Sequence, residues 1–241
     1  DVLAARDEAA DLVSLVDDAE ERERVAQRAV DAAERALAAA ARTLDDARGE
    51  AAPRFSRAVS AQMQRLEMGT AQLVCEQRAL PRASWTRSGA SEVEFMFQPG
   101  AGMQARPLAR IASGGEVSRV MLAIKVVLGQ ADSVDTLVFD EVDAGVGGSV
   151  AVALAEVLAD LARSHQVIVV THLAQVAVHG DVHYAVTKIA GDDGMPQTCL
   201  RRLSADERPA EIARMLSGDA TEASLAHARE MLGAVKGVQG E

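Results

Sequence analysis

From Ala9 onward the apolar and small residues of the N-terminal segment recur in alternating steps of three and four. The series runs Ala9, Leu12, Val16, Ala19, Glu23, Ala26, Val30, Ala33, Leu37, Ala40, Leu44, Ala47 and Ala51. Set in heptads, the a position carries mostly Val and Leu, and the d position carries Ala from residue 19 onward. The spacing predicts one long helix over residues 1–52 that forms a coiled-coil arm, because a 3.5-residue repeat keeps one seam on one side of a helix. At ~1.5 Å per residue such an arm is roughly 75 Å long. The seam needs a partner helix, and no second segment of this chain has matching length and pattern. A lone polar helix with an Ala stripe is marginal in water. The plainer alternative is a solvated helix lying along a globular body.

Gly49 and Pro53 predict a break, followed by a shorter helix with Phe55, Val59, Met63 and Leu66 on one face, ending near Gly69. Strands are predicted near Gln72–Glu76 and over Glu92–Gln98, where Val93, Phe95 and Phe97 alternate with Glu92, Glu94, Met96 and Gln98. From Val134 the rhythm changes. An apolar run ending in acids (VDTLVFD), a helix over Ser149–Arg163 and a second apolar run over Gln166–Thr171 predict two strands with a helix between them. The second run reads as a strand buried on both faces. A short helix (Leu173–Val178), strands at His183–Ile189 and Thr198–Leu203, and helices at Pro209–Leu216 and Thr221–Val235 complete the reading. Strand–helix–strand alternation implies a parallel α/β sheet, at least locally. Three regions result: the arm at 1–52, a connecting helix with strands at 53–98, and an α/β lobe at 99–241.

Composition narrows the function. Of the 241 residues, 49% are hydrophobic and 25% charged, which suits a folded chain with a buried core. No run of about 18 apolar residues occurs, so no membrane span is predicted. The acidic start DVLAARDEAA lacks the apolar core of an export signal. Cys75 and Cys199 form neither a disulfide framework nor a CxxC metal site, which fits a reducing compartment such as the cytoplasm. The net charge of -11 argues against a broad nucleic-acid-binding surface, and 2% aromatics argue against base-stacking platforms. The three lysines, Lys125, Lys188 and Lys236, follow Ile124, Thr187 and Val235. A phosphate-binding GxxxxGK[ST] loop needs glycine before its lysine, so these residues contain none.

The segment Ile111-Ala112-Ser113-Gly114-Gly115-Glu116 opens an amphipathic helix carrying Val117, Val120, Met121, Ile124 and Leu128. Ser113 with Glu116 three residues on reads as a capping box. Two consecutive glycines in a first turn fit a second use equally well, since they let backbone N–H groups approach an anion at the positive end of a helix. Thr136–Phe139 delivers two adjacent carboxylates, Asp140 and Glu141, at a strand's C-terminal end, where open α/β sheets bind ligands. There Asp140 suits a Mg²⁺ ion and Glu141 suits orienting or activating a water. The plainer reading is a pair of acids that start a loop. Asp143, Gly145, Gly147 and Gly148 follow, a loop with backbone freedom and one further acid. His172 follows the strand Gln166–Thr171, at the same sheet edge. His179, Asp181 and His183 straddle a helix-to-strand turn, which does not suit a metal site. Neither GxSxG nor HExxH occurs.

In this order the motifs resemble the C-terminal half of an ABC-type ATPase head. Ala112–Glu116 is similar to the signature motif, Leu137–Glu141 to Walker B, Asp143–Gly148 to the D-loop and His172 to the switch histidine. A coiled-coil arm before the signature resembles the SMC-like branch, in which two chain halves flank the coil and build one head. PLARIASGGEVSRVMLAIK, FDEVDAGVGG, VVTHLAQVA and EIARMLSG are closer still to the RecN family of bacterial DNA-repair ATPases. Gly147 departs from the Ser that family often has there, and the absent Walker A belongs to the N-terminal half.

The resemblance implies an α/β fold: the C-terminal lobe of an ABC-type head, with a largely parallel sheet flanked by helices after a long coiled-coil helix. It implies ATP and Mg²⁺ as cofactors, hydrolysis, a second head as homodimer partner, and a role in recombinational repair of DNA double-strand breaks in the nucleoid. Ser113, Gly114, Gly115 and Glu116 would contact ATP held by the opposing head. Asp140 would serve the metal, Glu141 the water, His172 the γ-phosphate, and Asp143 with Gly145 the contact across the dimer. DNA contacts would fall on Arg clusters such as Arg201/Arg202, on the missing half or on the assembled dimer. The competing readings are a head from another SMC or ABC branch, and a non-enzymatic coiled-coil scaffold.

Overall fold

The computed structural model describes residues 2–111, 113–131, 133–190 and 196–238. The chain divides into two compact units. One comprises Asp1–Ala52 with Glu76–Glu94, the other Pro53–Cys75 with Phe95–Glu241.

A single helix, α1 (Val2–Arg65), runs through residues of both units with Pro53 inside it. The break expected at Gly49 and Pro53 does not form. Proline costs about 3 kcal/mol in a helix interior, whereas Val59, Met63 and Leu66 beyond it are 0%, 0% and 1% exposed. Burying such side chains is worth about 1.5–3 kcal/mol each, so the buried face outweighs the proline. Among described residues of the predicted seam, Val30, Leu37 and Leu44 are 54%, 42% and 37% exposed. Leu12 and Val16 lie among side chains outside the described ones.

In the first unit, α1 is tied to residues of the β1 (Gln72–Ala79) and β2 (Ser91–Gln98) region by polar side chains. Arg48 donates to Ser88 O (2.8 Å) and Ser91 O (3.3 Å), and Ser91 Oγ donates to Asp45 Oδ1 at 2.6 Å. Farther along the helix Arg82 forms a two-point ion pair with Glu34 and lies 4.8 Å over the Trp85 ring. Gly89 has φ 111, a backbone conformation that L side chains rarely adopt, and it lies beside Leu44 of α1.

In the second unit, the end of α1 packs Val59, Met63 and Leu66 into the main core with Leu73 and Phe97. Ser56 and Ser60 on this stretch accept the backbone N–H groups of Cys75 and Leu73, which hangs β1 from the helix. A two-residue strand, β3 (Arg106–Pro107), pairs antiparallel with β2 and was not foreseen from its short, proline-containing sequence. Then come α2 (Gly114–Leu128), β4 (Thr136–Phe139), α3 (Gly148–Ala162) and β5 (Gln166–Val169). Leu122 of α2, Leu137 and Phe139 of β4, and Leu154 and Leu161 of α3 complete the main core.

Strands β4 and β5 are parallel, from Thr136 opposite Gln166 to Phe139 opposite Val169. Their connection through α3 is the βαβ unit that the alternation implied. Burial on both faces of Gln166–Thr171 is overturned: Ile168 and Val170 are 47% and 56% exposed, as is Val138 at 65%. In each strand alternate residues face the core, and among the described residues the opposite face of this two-stranded sheet is exposed.

After α4 (Ala174–Ala177), strands β6 (Tyr184–Ala190) and β7 (Pro196–Arg202) form an antiparallel pair, so parallel pairing stops at β5. Helices α5 (Arg208–Ser217) and α6 (Glu222–Val238) pack Ile212, Ala213 and Ala228 against Ala174 and Val178 in a second core. Among the described residues no helix is long and apolar enough to cross a membrane.

Candidate functional site

The parallel register ends β4 and β5 together, so the residues after Phe139 and after Val169 leave the sheet at one edge. Val170 N donates to Phe139 O at 3.0 Å, extending the pairing to that edge. Asp140 and Glu141 follow β4 and are exposed. Asp140 Oδ1 accepts Glu141 N at 2.9 Å, and Glu141 has φ 57, a left-handed backbone uncommon for a non-glycine residue. The chain then turns twice, with Ala144 N donating to Glu141 O and Val146 N to Asp143 O, and Gly145 at φ 71 permits the second turn.

The start of α2 lies against this loop. Ser113 is the N-cap, and its Oγ accepts Glu116 N at 3.4 Å, so the capping box is half formed in this sense. Gly115 answers a packing need as well as a capping one, and Gly114 lies under the Glu141 side chain. A Cβ on Gly114 would lie 2.6 Å from Glu141 Oε2, and one on the buried Gly115 would lie 3.0 Å from Ala144 O. One turn further along, Ser118 Oγ donates to Asp140 O at 3.1 Å. Arg119 Nη1 donates to Ala144 O at 3.1 Å and to Val142 O at 3.4 Å. Burial of this guanidinium lowers the Arg119 pKa, an effect partly offset by the nearby Glu116.

From the β5 side, Thr171 and His172 reach the same loop. Asp143 is 3% exposed, and its Oδ2 accepts Thr171 Oγ1 (2.5 Å) and His172 N (3.1 Å). His172 Nδ1 is 3.2 Å from the same oxygen while 71% of its side chain remains exposed. A buried carboxylate is costly unless hydrogen-bonded, and these contacts satisfy it. The imidazole thus lies with Nδ1 beside Asp143 while most of the side chain is exposed.

Ser113, Gly114, Gly115, Glu116, Asp140, Glu141, Asp143 and His172 thus share one region of the second unit. Gly147 is the N-cap of α3, extended at φ -165 and without a side chain to cap it. Gly148, at φ 57, opens that helix. Sequence reasoning did not single out Ser118, Arg119 or Thr171. The available signal was position: residues 118 and 119 lie one turn beyond the double glycine, and Thr171 is a polar residue ending an apolar strand beside His172. Ala112 lies outside the described residues.

Among the described residues no group of three or more His, Cys, Asp or Glu is arranged to hold a metal ion, His179 and His183 included. Burial lowers the pKa of both these histidines. Arg201 pairs with Glu207 at 2.6 Å, and both Arg201 and Arg202 are exposed.

No family model matches the chain. Among curated proteins it is similar to the DNA repair protein RecN of Mycobacterium leprae (strain TN), 45% identical over 226 residues, covering 86% of this chain and 38% of that protein. RecN of Streptomyces coelicolor is 45% identical over 213 residues, 84% of this chain and 37% of that protein. RecN of Deinococcus radiodurans is 54% identical over 144 residues, 60% of this chain and 25% of that protein. The match therefore spans a quarter to little more than a third of the length of these relatives. Among solved structures, the Smc head domain with a coiled coil and joint from Pyrococcus yayanosii has TM-score 0.46 and 18% identity. It covers 76% of this chain and 29% of that one.

Proposed function

Because the chain belongs to the RecN family, as a segment shorter than the family's members, we propose that it is the C-terminal part of an SMC-like ATPase head acting in DNA double-strand break repair. In this reading ATP is held between two heads, and the phosphate loop comes from an N-terminal part. The observation that carries the reading is the convergence of Gly114 and Gly115 at a helix N-terminus, the adjacent acids Asp140 and Glu141, and the Asp143–His172 pair on one loop. A helix cap alone needs no carboxylate pair beside it, and a loop of acids alone needs no glycine pair.

The residues fit a nucleotide's metal in a limited way. Asp140 commits Oδ1 to Glu141 N, which leaves Oδ2 as the oxygen for a divalent ion. Mg²⁺ is commonly held by one or two carboxylates together with substrate phosphates and water, so a single Asp suits an ion that arrives with ATP. When bound, such an ion neutralises charge on the transferring phosphoryl group. Glu141 would accept a proton from, or orient, the attacking water. His172, held through its backbone N–H by Asp143 with Nδ1 beside the same oxygen, would present its ring to the γ-phosphate. Ser113 and the amides of Gly114 and Gly115 would contact the γ-phosphate of the opposing head's ATP. Asp143 and Gly145 would carry the contact across the dimer.

Two further observations support the partners named in this reading. The open face at Val138, Ile168 and Val170 is an apolar strand surface of the kind another sheet or helix covers. The exposed Val30 and Leu37 seam on α1 is that of a helix with a missing partner. We assign the first to the remainder of the head and the second to the returning arm. The net charge of -11 does not favour a broad DNA surface on this chain, so DNA contact is assigned to local Arg clusters such as Arg201/Arg202, to the N-terminal part or to the assembled dimer.

The test is Glu141→Gln in a full-length family member. ATP binding should persist while steady-state hydrolysis falls by roughly 10²-fold or more, within the range general-base removal produces. Unchanged turnover would remove Glu141 from this role.

A further inference from the structure

Glu141 Oε2 occupies the space over Gly114 in which a side chain would begin, 2.6 Å from where a Cβ would stand. The backbone of Glu141 is left-handed at φ 57. Its neighbours hold it there. Ser118 binds Asp140 O on one side, and Arg119 binds Val142 O and Ala144 O on the other. Gly115 lies flush against Glu141 O and Ala144 O. With the loop backbone fixed to α2 at these points, the side chain of Glu141 is the part free to leave. The first turn of a helix carries unpaired N–H groups and positive dipole charge, which attract a carboxylate lying beside it.

We propose that the Glu141 carboxylate is a built-in competitor for the anion received at the Ser113–Glu116 turn, so that loading this turn and releasing Glu141 are one event. The proposal rests on the reading above, in which that anion is the γ-phosphate of the opposing head's ATP. A phosphate at the turn and a carboxylate over Gly114 are like charges at one helix end, and they repel. The incoming phosphate, with more charge and more acceptor oxygens, takes the helix end, and Glu141 swings away from α2. Because the released Glu141 serves the nucleotide on its own head, loading one composite site arms the other. An unloaded head keeps its acid turned away from the water it would activate, which suppresses hydrolysis without a partner. The double glycine is needed twice, once for the carboxylate at rest and once for the phosphate that displaces it.

The experiment uses a full-length RecN-family protein, Mg²⁺ and a non-hydrolysable ATP analogue, so that hydrolysis contributes nothing. Dimerisation is followed by light scattering as the analogue is titrated into wild type, Glu141→Gln and, as a control for lost charge, Glu156→Gln on α3. Gln matches Glu in size but does not compete as an anion. The midpoint for Glu141→Gln should fall about tenfold below wild type, on the order of 1.4 kcal/mol, while Glu156→Gln stays at the wild-type value. Equal midpoints for wild type and Glu141→Gln would overturn this inference and leave the functional reading standing. An equal fall in Glu156→Gln would overturn it too, by reducing the effect to net charge. Absence of analogue-dependent dimerisation in every protein would overturn the functional reading, and the inference with it.

Discussion

Asp143 holds His172 twice through one oxygen: Oδ2 accepts the His172 backbone N–H at 3.1 Å and lies 3.2 Å from its Nδ1. The same oxygen accepts the Thr171 hydroxyl. The carboxylate is buried and the imidazole is largely exposed, so the pair orients the ring more than it stabilises a charge. Asp143→Ala leaves the Thr171 hydroxyl and the His172 amide without their acceptor and should cost about 1–3 kcal/mol in urea unfolding. Asp143→Asn keeps an acceptor oxygen and should cost less. Equal stability of Asp143→Ala and wild type would mean that solvent satisfies those donors.

The two glycines at the start of α2 should respond differently to the same substitution. In Gly115→Ala the new Cβ meets Ala144 O at 3.0 Å and Ala144 Cβ at 3.1 Å, so a fixed loop must move. Overpacking of this kind costs roughly 1–3 kcal/mol. In Gly114→Ala the Cβ meets only the Glu141 carboxylate, the end of a flexible side chain. That change should alter stability by less than about 1 kcal/mol, the helix preference for Ala offsetting part of the contact. Chemical denaturation of both variants checks the order, and a Gly114→Ala cost as large as that of Gly115→Ala would show Glu141 to be rigidly held.

Ser113→Arg should block head engagement while each full-length head still binds ATP. The hydroxyl that now accepts Glu116 N would be replaced by a long cation where, in the function proposed above, the opposing nucleotide approaches. Nucleotide-dependent dimerisation should be lost in light scattering, and ATP binding measured by calorimetry should stay within about threefold of wild type, under 1 kcal/mol. Dimerisation at wild-type nucleotide levels would leave Ser113 as a helix cap alone.

Much of this arrangement was legible in the sequence because it is local. Ser113 with Glu116 marks the start of α2, and the apolar run into Asp140 marks β4. The helix through Pro53 was not legible, because its continuation depends on burying Val59, Met63 and Leu66 in a core assembled from distant segments. The exposed face at Val138 and Ile168 was missed for a related reason: an apolar run reports what a strand would bury, not what this chain supplies to cover it. Arg119 was missed because nothing in an arginine's sequence position distinguishes a solvated face from a carbonyl-binding one. The Asp143–His172 contact needs the parallel register of β4 and β5, which a sequence does not print.

Stability should fall on mild acidification through His183. Burial lowers its pKa from 6.5, and the neighbouring Arg208 and Arg214 lower it further against an opposing effect of Glu211. Its Nδ1 is buried without a partner, while Arg208 Nη2 is committed to Ala177 O, Val178 O and Gly180 O. Because the folded pKa lies below the unfolded one, the unfolded chain binds the extra proton. This contribution is complete above about pH 6.5 and is lost as the pH falls from there toward the depressed folded value. Thermal melting between pH 7.5 and pH 5 should show a steeper loss for wild type than for His183→Gln, in which that group no longer titrates. Parallel profiles would place the acid sensitivity elsewhere.

The composite site itself is tested most directly by calorimetric titration of ATP–Mg²⁺ into this 241-residue chain, alone and with the remaining N-terminal segment of a RecN-family protein added. The phosphate-loop amides and lysine that form most of a cradle for the α- and β-phosphates are not encoded in these residues. The chain alone should therefore show no micromolar binding, and adding the segment should restore it. Restored binding should come with a rise in helicity and melting temperature as the Val30, Leu37 and Leu44 stripe is covered. Micromolar ATP binding by the chain alone would contradict the account.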